Sequence, residues 1–238
     1  MSCLLHIETS TTVCSVALSL DGESFFERAS FDGPSHAALS GVYVEEALAL
    51  LRCRDMKPDA IAVSSGPGSY TGLRIGVSLA KGLCFGYDIP LISVPTLEII
   101  AYRTIGQTSP ASPGALYCAM LDARRMEVYA AIFDARRRSV RGTAAEIIDA
   151  GAYASFLAGH TVYFSGSGAA KCRDVIASAN AVFVDGIHPL AADMAPLAEK
   201  LFNDGSFEDT AYFEPFYLKE FIATTPGNKV FTHTKNHC

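Results

Sequence analysis

Apolar residues open the chain at Leu4, Leu5 and Ile7, give way to Glu8-Thr9-Ser10-Thr11-Thr12, and resume at Val13-Cys14-Ser15-Val16-Ala17-Leu18. β-Branched, partly alternating runs on either side of a polar turn predict a pair of strands. Asp21-Gly22 is a hairpin turn pair, so a third strand is expected over 23–29. The period then changes. From Ser35 onward Leu39, Val42, Tyr43, Ala47, Leu50 and Leu51 recur at spacings of three and four, the pattern of a helix. The run DAIAVS at 59–64 has the length of a buried strand. A glycine-rich loop follows, and Ser69 or Thr71 is placed to cap a helix reaching Gly86. A strand over 89–94, carrying Pro90 and ending before Pro95, and a helix over 96–105 complete this half.

Residues 107–114, QTSPASPG, are the clearest linker and divide the chain into 1–106 and 107–238. Beyond it, strands are expected at 115–121, 127–134, 163–165 and 181–184. A helix is expected at 169–178, after Gly166-Ser167-Gly168. An amphipathic helix at about 190–203 is able to pack back on the first half. The end of the chain, 224–238, reads as a flexible tail. Both halves open with strands and polar turns and then alternate helices with strands. That predicts two related α/β units, although no repeat is visible residue by residue.

Residues 64–86, SSGPGSYTGLRIGVSLAKGLCFG, raise the question of a phosphate site, because a strand, glycines and a helix N-terminus together favour anions. A P-loop requires Lys and then Ser or Thr after its last glycine, whereas Gly72 is followed by Leu73 and Arg74. The dinucleotide fingerprint requires G-x-G-x-x-G, and Gly66, Gly68 and Gly72 are spaced one residue too widely. Gly72, Gly76 and Ala80 instead fall on one helix face. Glycine costs a helix about 1 kcal/mol against alanine, so two on one face imply close packing, within the chain or against a partner. Gly66-Pro67-Gly68 is then a tight turn from strand to helix.

Half of the 238 residues are hydrophobic and 18% are charged, which is enough to build real cores. The net charge of −6 argues against unaided nucleic-acid binding. Seven scattered cysteines, an odd number with no C-x-x-C, fit reduced thiols better than a disulfide framework or a zinc knuckle. No basic segment precedes the first apolar run, and no apolar stretch reaches the roughly 18 residues of a membrane helix, so a cytoplasmic protein is expected. Arg124, Arg125, Arg136, Arg137, Arg138 and Arg141 form a local basic island, read either as a solvated hairpin or as a contact for RNA or a partner. His36 reads as a cap or surface group. His233, His237 and Cys238 have ligand-like spacing in the tail. There is no G-x-S-x-G elbow for a nucleophile.

The stretch from Ser64 to Ala80, with Lys81-Gly82, resembles the signature of the TsaB family of bacterial tRNA threonylcarbamoyladenosine biosynthesis proteins. The resemblance extends to Ile7-Glu8-Thr9-Ser10 through Cys14-Ser15-Val16-Ala17, to Asp122-Ala123-Arg124-Arg125 with Glu127-Val128-Tyr129-Ala130, and to Pro215-Phe216-Tyr217-Leu218. It spans roughly residues 3 to 220. It implies an α/β, actin/Hsp70-like ATPase fold made of two tandem RNase-H-like lobes. It also implies a non-catalytic scaffold that activates TsaD, the paralogue that transfers a threonylcarbamoyl group to the adenosine beside the anticodon. The implied partners are a TsaD-type catalytic paralogue, a TsaE-type ATPase, a second copy of the chain when alone, and tRNA only within the complex, with no membrane. No cofactor of its own is implied; ATP is used by the complex, and weak ATP or ADP binding is left open. The catalytic paralogue carries a His-x-x-x-His metal pair on the helix after the following strand. The matching positions here are Thr96 and Ile100, so no metal site and no catalytic residue is expected. Met126 stands where the family often has Gly, and Lys219 where Arg is frequent.

Two sets of site residues follow. Leu39, Tyr43, Leu50, Gly72, Gly76, Ala80 and Leu83 are expected at a partner or homodimer interface. Glu8, Thr9, Ser10, Thr11, Asp122, Gly166 and Gly168 are expected at a vestigial nucleotide site, with Glu8 where active ATPases of the fold carry Asp. The competing readings are an ATPase or small-molecule kinase using those same residues, and a metallo-glycoprotease-like peptidase, which lacks ligands.

Overall fold

The computed structural model describes residues 1–33, 36–108 and 112–218. Ser35, part of the linker, Lys219 and the His233–Cys238 cluster lie outside the described residues, as does the expected tail at 224–238. The first half contains β1 (Cys3–Glu8), β2 (Cys14–Leu20), β3 (Glu23–Ser30), α1 (His36–Cys53), β4 (Ala60–Gly66), α2 (Tyr70–Tyr87), β5 (Leu91–Pro95) and α3 (Thr96–Gln107). The second contains β6 (Leu116–Asp122), β7 (Glu127–Asp134), β8 (Ser139–Ile147), α4 (Ala154–Leu157), β9 (Val162–Ser165), α5 (Ala169–Cys172), β10 (Ala181–Val184) and α6 (Ala195–Asn203).

The two sheets have one topology. The first runs β3-β2-β1-β4-β5 and the second β8-β7-β6-β9-β10. In each, three antiparallel strands are joined by short turns and two further strands pair in parallel, as in β1–β4 and β6–β9. The repeat does reach residue level at one place. Ser65-Gly66-Pro67-Gly68 leaves β4 for α2, and Ser165-Gly166-Ser167-Gly168 leaves β9 for α5. Gly66 and Gly166 share a left-handed backbone, φ +102° and +91°, which glycine alone adopts freely.

Alternation along the strands sends side chains to both faces. Leu5 and Ile7 join Val44, Leu48 and Leu51 of α1 and Val77 and Ala80 of α2. Leu4, with Ile92 and Val94, faces the other way, onto Ile99 of α3 and Met194 and Ala198 around α6. Helix α6 therefore lies on the first sheet, although it follows the second in sequence. Helix α3 is shared: Leu97, Ile100 and Ala101 pack with Ala119 and Leu121 of the second sheet. Thr104 Oγ1 and Ser165 Oγ, 2.7 Å apart and buried, join α3 to β9.

Four elements depart from the sequence reading, one of them the short helix α4, which was not expected. Strand β8 was not expected, because SVRGTAAEI alternates weakly: Val140 and Ile147 are exposed at this sheet edge. The helix after Gly168 ends at Cys172 instead of reaching 178, and turns follow it. The helix expected from about 190 begins as a 3-10 turn, Ala192–Met194, and becomes α-helical where Pro196 occupies its first turn.

Candidate functional site

The turn between β1 and β2 is where an ATPase of the expected fold would hold phosphates. Here Glu8, Thr9 and Ser10 are buried and Thr11 is half-buried. Glu8 Oε1 accepts hydrogen bonds from the Ser10 backbone N–H at 2.6 Å and from Ser10 Oγ at 2.5 Å. Among the described residues, Glu8 Oε2 and Ser64 Oγ have no partner at good hydrogen-bond geometry. Burial pushes the Glu8 carboxyl up to about 7, opposed by the Ser10 donors and the nearby Ser64 hydroxyl. Thr11 Oγ1 accepts from Val13 N at 3.2 Å, and the Thr11 carbonyl accepts from His36 Nε2 at 2.7 Å. His36 is thus a buried tie between α1 and the turn, not a surface group.

Helix α2 closes over this turn. Ser69 caps it, its Oγ accepting from Gly72 N at 3.2 Å, while Ser69 N donates to the Ser10 carbonyl at 2.7 Å. Thr9 Oγ1 donates to the Gly72 carbonyl at 2.8 Å. A Cβ on Gly68 would lie 2.3 Å from the Ser10 carbonyl oxygen, one on Gly72 2.1 Å from that of Thr9, and one on Gly76 2.2 Å from Thr9 Oγ1. This corrects the expected interface. Gly72, Gly76 and Ala80 do not face a partner: the two glycines admit the chain's own β1–β2 turn, and Ala80 lies in the core beneath α1. Leu39 is half-buried on α1, and Tyr43, Leu50 and Leu83 are half-buried against the same core.

The outward surface of the two helices is a different set. Gly41 on α1 and Gly82 and Gly86 on α2 have open space where a Cβ would be. Val42 and Phe85 are exposed, Phe85 by 89%. Ala37, Ser40, Gly41, Tyr70, Arg74 and Ile75 help to line a groove of about 570 Å³ between α1 and α2.

The other nucleotide-site candidates lie in the second lobe. Asp122 ends β6 and pairs with Lys171 on α5. Lys171 Nζ also donates to the carbonyls of Arg125 and Glu127, both at 2.7 Å. Gly168 N donates to the Met120 carbonyl at 3.1 Å, and a Cβ on Gly166 would lie 2.3 Å from that carbonyl oxygen. Glycines 166 and 168 therefore serve close packing on β6. The structure brings Glu8, Thr9, Ser10 and Thr11 together in one turn, and Asp122, Gly166 and Gly168 in another. Lys171 escaped the sequence reading; its signal is a lysine one helical turn after the second S-G-x-G.

Thr96 and Ile100 sit on α3 and are fully buried; Ile100 packs in the core between α3 and the second sheet. Among the described residues, no three or more His, Cys, Asp or Glu are grouped to hold a metal, and no helix is long and apolar enough to cross a membrane. The basic island divides. Arg124 and Arg125 lie before β7 and Arg136–Arg138 after it, about 25 Å apart for a strand of this length. Arg138 pairs with Asp134, and Arg141 with Glu146. Met126, where the family often has Gly, is not in the left-handed region; Arg124 and Arg125 just before it are, with φ of +71° and +51°.

A segment outside the expected sites braces the glycine loop. The Glu208 N–H donates to the Leu91 carbonyl at 2.9 Å, and Ser93 Oγ to Glu208 Oε1 at 2.5 Å. Lys81 Nζ donates to the carbonyls of Ala211 and Phe213 at 3.0 and 3.1 Å. Phe216 N donates to the Ser65 carbonyl at 2.7 Å, and the Tyr217 ring packs on Tyr70 with centroids 5.0 Å apart.

One five-stranded unit used twice around a shared helix, with a glycine turn leaving the same strand of each unit, defines the actin/Hsp70-like ATPase fold. A family model described as TsaD, tRNA N6-adenosine threonylcarbamoyltransferase, matches residues 33–224. The chain is 31% identical over 232 residues to the tRNA threonylcarbamoyladenosine biosynthesis protein TsaB of Escherichia coli, covering 92% of this chain and 96% of that protein. TsaB of Bacillus subtilis is 36% identical over 129 residues, covering 53% of this chain and 52% of that protein. The structure of YeaZ from Pseudomonas aeruginosa superposes with a TM-score of 0.77 at 26% identity, over 92% of this chain and all of that one. The chain belongs to the TsaB (YeaZ) family.

Proposed function

We propose that this chain serves tRNA threonylcarbamoyladenosine biosynthesis as a non-catalytic scaffold that activates a TsaD-type transferase in the cytoplasm. The observation that carries the reading is the packing of α2 on the β1–β2 turn. The space above Thr9 is filled by Gly72 and Gly76 of the same chain, and the Ser10 and Val13 N–H groups are spent within the turn. Such a turn leaves a nucleotide little room over Thr9 and fewer donors than an open cradle would. The chain then needs no cofactor, and ATP is turned over for the complex by a TsaE-type ATPase.

The contact surface in this reading is the exposed side of α1 and α2. Its small residues, Ala37, Gly41, Ser78 and Gly82, admit a second helix pair closely, and Val42 and Phe85 supply apolar area. Leu39, Tyr43, Leu50 and Leu83 form the half-buried base of that face. The same face builds a homodimer in the absence of the partner. The net charge of −6 fits tRNA contact only within the complex.

Light scattering after size-exclusion chromatography tests this on the chain alone and mixed with its TsaD counterpart. A dimer that gives way to a mixed complex supports the reading, and Phe85→Glu with Ser78→Arg is expected to abolish both species. A monomer that ignores the counterpart overturns it. Calorimetric titration with Mg-ATP tests the ATPase alternative: micromolar binding with turnover would replace the scaffold by an enzyme.

A further inference from the structure

The scaffold reading leaves the arginine hairpin between β7 and β8 without a role. Asp134 organises this hairpin. Its Oδ1 accepts from the Arg136 and Arg138 backbone N–H groups at 2.8 and 2.9 Å, and its Oδ2 accepts from Arg138 Nε at 2.7 Å. Arg137 N donates to the Asp134 carbonyl at 2.9 Å, and Asp134 N to the Arg138 carbonyl at 3.0 Å. The carboxylate is thereby engaged by Arg138 and by the turn itself. Arg136, Arg137 and Arg138 are all exposed, and among the described residues neither Arg136 nor Arg137 forms an ion pair. Arg137 has φ +65°, at the hairpin position that ordinarily takes glycine. An arginine there bears a conformational cost that glycine avoids. Its guanidinium lies over the ring of Tyr102 on α3, 4.8 Å from the centroid. The ring covers one face of the group, while the N–H donors lie in the guanidinium plane and stay available at its edge. Two uncompensated guanidinium groups thus occupy adjacent positions at the tip of one hairpin, one of them held flat on an aromatic ring.

We propose that this hairpin, through Arg136 and Arg137, holds the phosphate backbone of tRNA when the chain stands in its complex. The inference rests on the scaffold reading, which makes tRNA the substrate of the complex. Guanidinium groups meet phosphate oxygens through paired, in-plane N–H donors. Fixing one of them on Tyr102 reduces the side-chain freedom lost when the RNA arrives. The contact carries no sequence information, because phosphates are alike in every tRNA. It positions the RNA and leaves the choice of nucleotide to the partner. The net charge of −6 opposes RNA over the rest of the surface, so two such contacts add to an affinity that the complex supplies and do not sustain one alone at physiological salt.

The test is the affinity of the full-length chain, assembled with its TsaD counterpart, for an unmodified, end-labelled tRNA transcript. Fluorescence anisotropy reads it between about 50 and 300 mM salt. Arg136→Gln with Arg137→Gly removes both charges, and glycine suits the left-handed backbone, so thermal unfolding is not expected to fall. Two lost phosphate contacts are expected to weaken binding about five- to fiftyfold near 0.1 M salt, and to lower the slope of log affinity against log salt by about 1.5. Arg54→Gln with Lys57→Gln, an equal loss of charge at exposed positions after α1, is expected to leave that slope unchanged. Unchanged affinity and slope in the hairpin variant overturn the proposal. An equal loss in the control also overturns it, by assigning the effect to net charge. Failure of the hairpin variant to enter the mixed complex does the same, since the hairpin is then a protein contact. If the wild-type chain forms no mixed complex, the scaffold reading falls, and the two variants are compared on the chain alone near about 20 mM salt, where RNA contacts are least screened. There, weaker tRNA binding by the hairpin variant than by the control supports the assignment, and equal binding overturns it.

Discussion

Replacing Gly72 by alanine tests whether the glycine stripe is an internal contact. The new Cβ would lie 2.1 Å from the Thr9 carbonyl oxygen, against an ordinary approach of about 3.4 Å, so α2 and the turn must separate by roughly 1.3 Å. A backbone oxygen has no rotamer by which to escape. Overpacking of this kind costs about 1–3 kcal/mol. The separation also strains the hydrogen bonds from Thr9 Oγ1 to the Gly72 carbonyl and from Ser69 N to the Ser10 carbonyl, each worth about 1 kcal/mol. Alanine returns about 1 kcal/mol through its helix propensity. The net expectation is a loss of about 2–4 kcal/mol, or roughly 5–15 °C in Tm for a protein of this size. The control is Gly82→Ala on the same helix, where a Cβ meets open space; it is expected to gain about 0.5–1 kcal/mol. Gly76→Ala supplies the cycle: its contact is with Thr9 Oγ1 at 2.2 Å, so Thr9→Ala should relieve it while leaving Gly72→Ala unrelieved. Circular dichroism during thermal and urea unfolding reads all of these. If Gly72→Ala and Gly82→Ala move stability in the same direction, the assignment of the two glycines to inner and outer faces is wrong.

Glu8 makes stability depend on pH. Its carboxyl, held by burial at about 7, keeps its proton in the native state while the unfolded chain releases it near 4.5. The stability from this group is therefore full below about pH 4.5 and declines as pH rises through 7, by an amount on the order of 2–3 kcal/mol. Cys14, which faces it, is neutral throughout, since burial pushes its thiol up to about 11. Glu8→Gln is expected to flatten urea-unfolding stability between pH 5 and 8; a variant that keeps the full decline assigns it elsewhere. Lys171→Met removes the ammonium that holds Asp122 and the carbonyls of Arg125 and Glu127. Because Asp122 is half exposed, the global cost is expected to be only about 1 kcal/mol. Trypsin cleavage after Arg124 or Arg125 should nonetheless quicken several-fold, and an unchanged rate would remove Lys171 from the control of that turn.

The layout of both lobes was legible because it rests on signals that local sequence carries. The switch from alternation to a helical period marks β3 and α1, and two glycine turns mark the strand-to-helix steps. What was not legible depends on contacts made far along the chain. Gly72, Gly76 and Ala80 announce a close approach but not its partner, because four-residue spacing fixes a helix face and says nothing of what covers it. The Thr9 carbonyl could be placed there only by the pairing of β1 with β4. Strand β8 was hidden because its outer face has no core to select for apolar residues. The arginines looked like one patch because nearness in sequence was read as nearness in space, and an intervening strand separates them. The brace from Glu208 to Tyr217 gave one clue, the Pro215–Leu218 motif, and its bonds to Leu91, Ser65 and Lys81 join residues with no sequence relation.

The two lobes close equivalent turns by unrelated means. In the first, helix α2 lies on the β1–β2 turn through its glycines, with the Ser69 N–H donating to the Ser10 carbonyl and Thr9 Oγ1 donating to the Gly72 carbonyl. In the second, a lysine side chain gathers the carbonyls and the carboxylate of the β6–β7 turn. A single lost catalytic residue would leave a cradle shaped for phosphate and merely inert, and restoring the residue would then restore binding. Here Gly72 and Gly76 pack on Thr9, and in the scaffold reading Glu8→Asp, which recreates the carboxylate implied for active members of the fold, is expected to leave Mg-ATP binding undetectable by calorimetry. The shorter side chain draws back the acceptor of the Ser10 N–H, but it changes neither the close packing of Gly72 on the Thr9 carbonyl nor the bond from Val13 N to Thr11 Oγ1. Micromolar binding by that variant would show that the turn opens in solution, and closure by α2 would then be a conformational state rather than a fixed property of the fold.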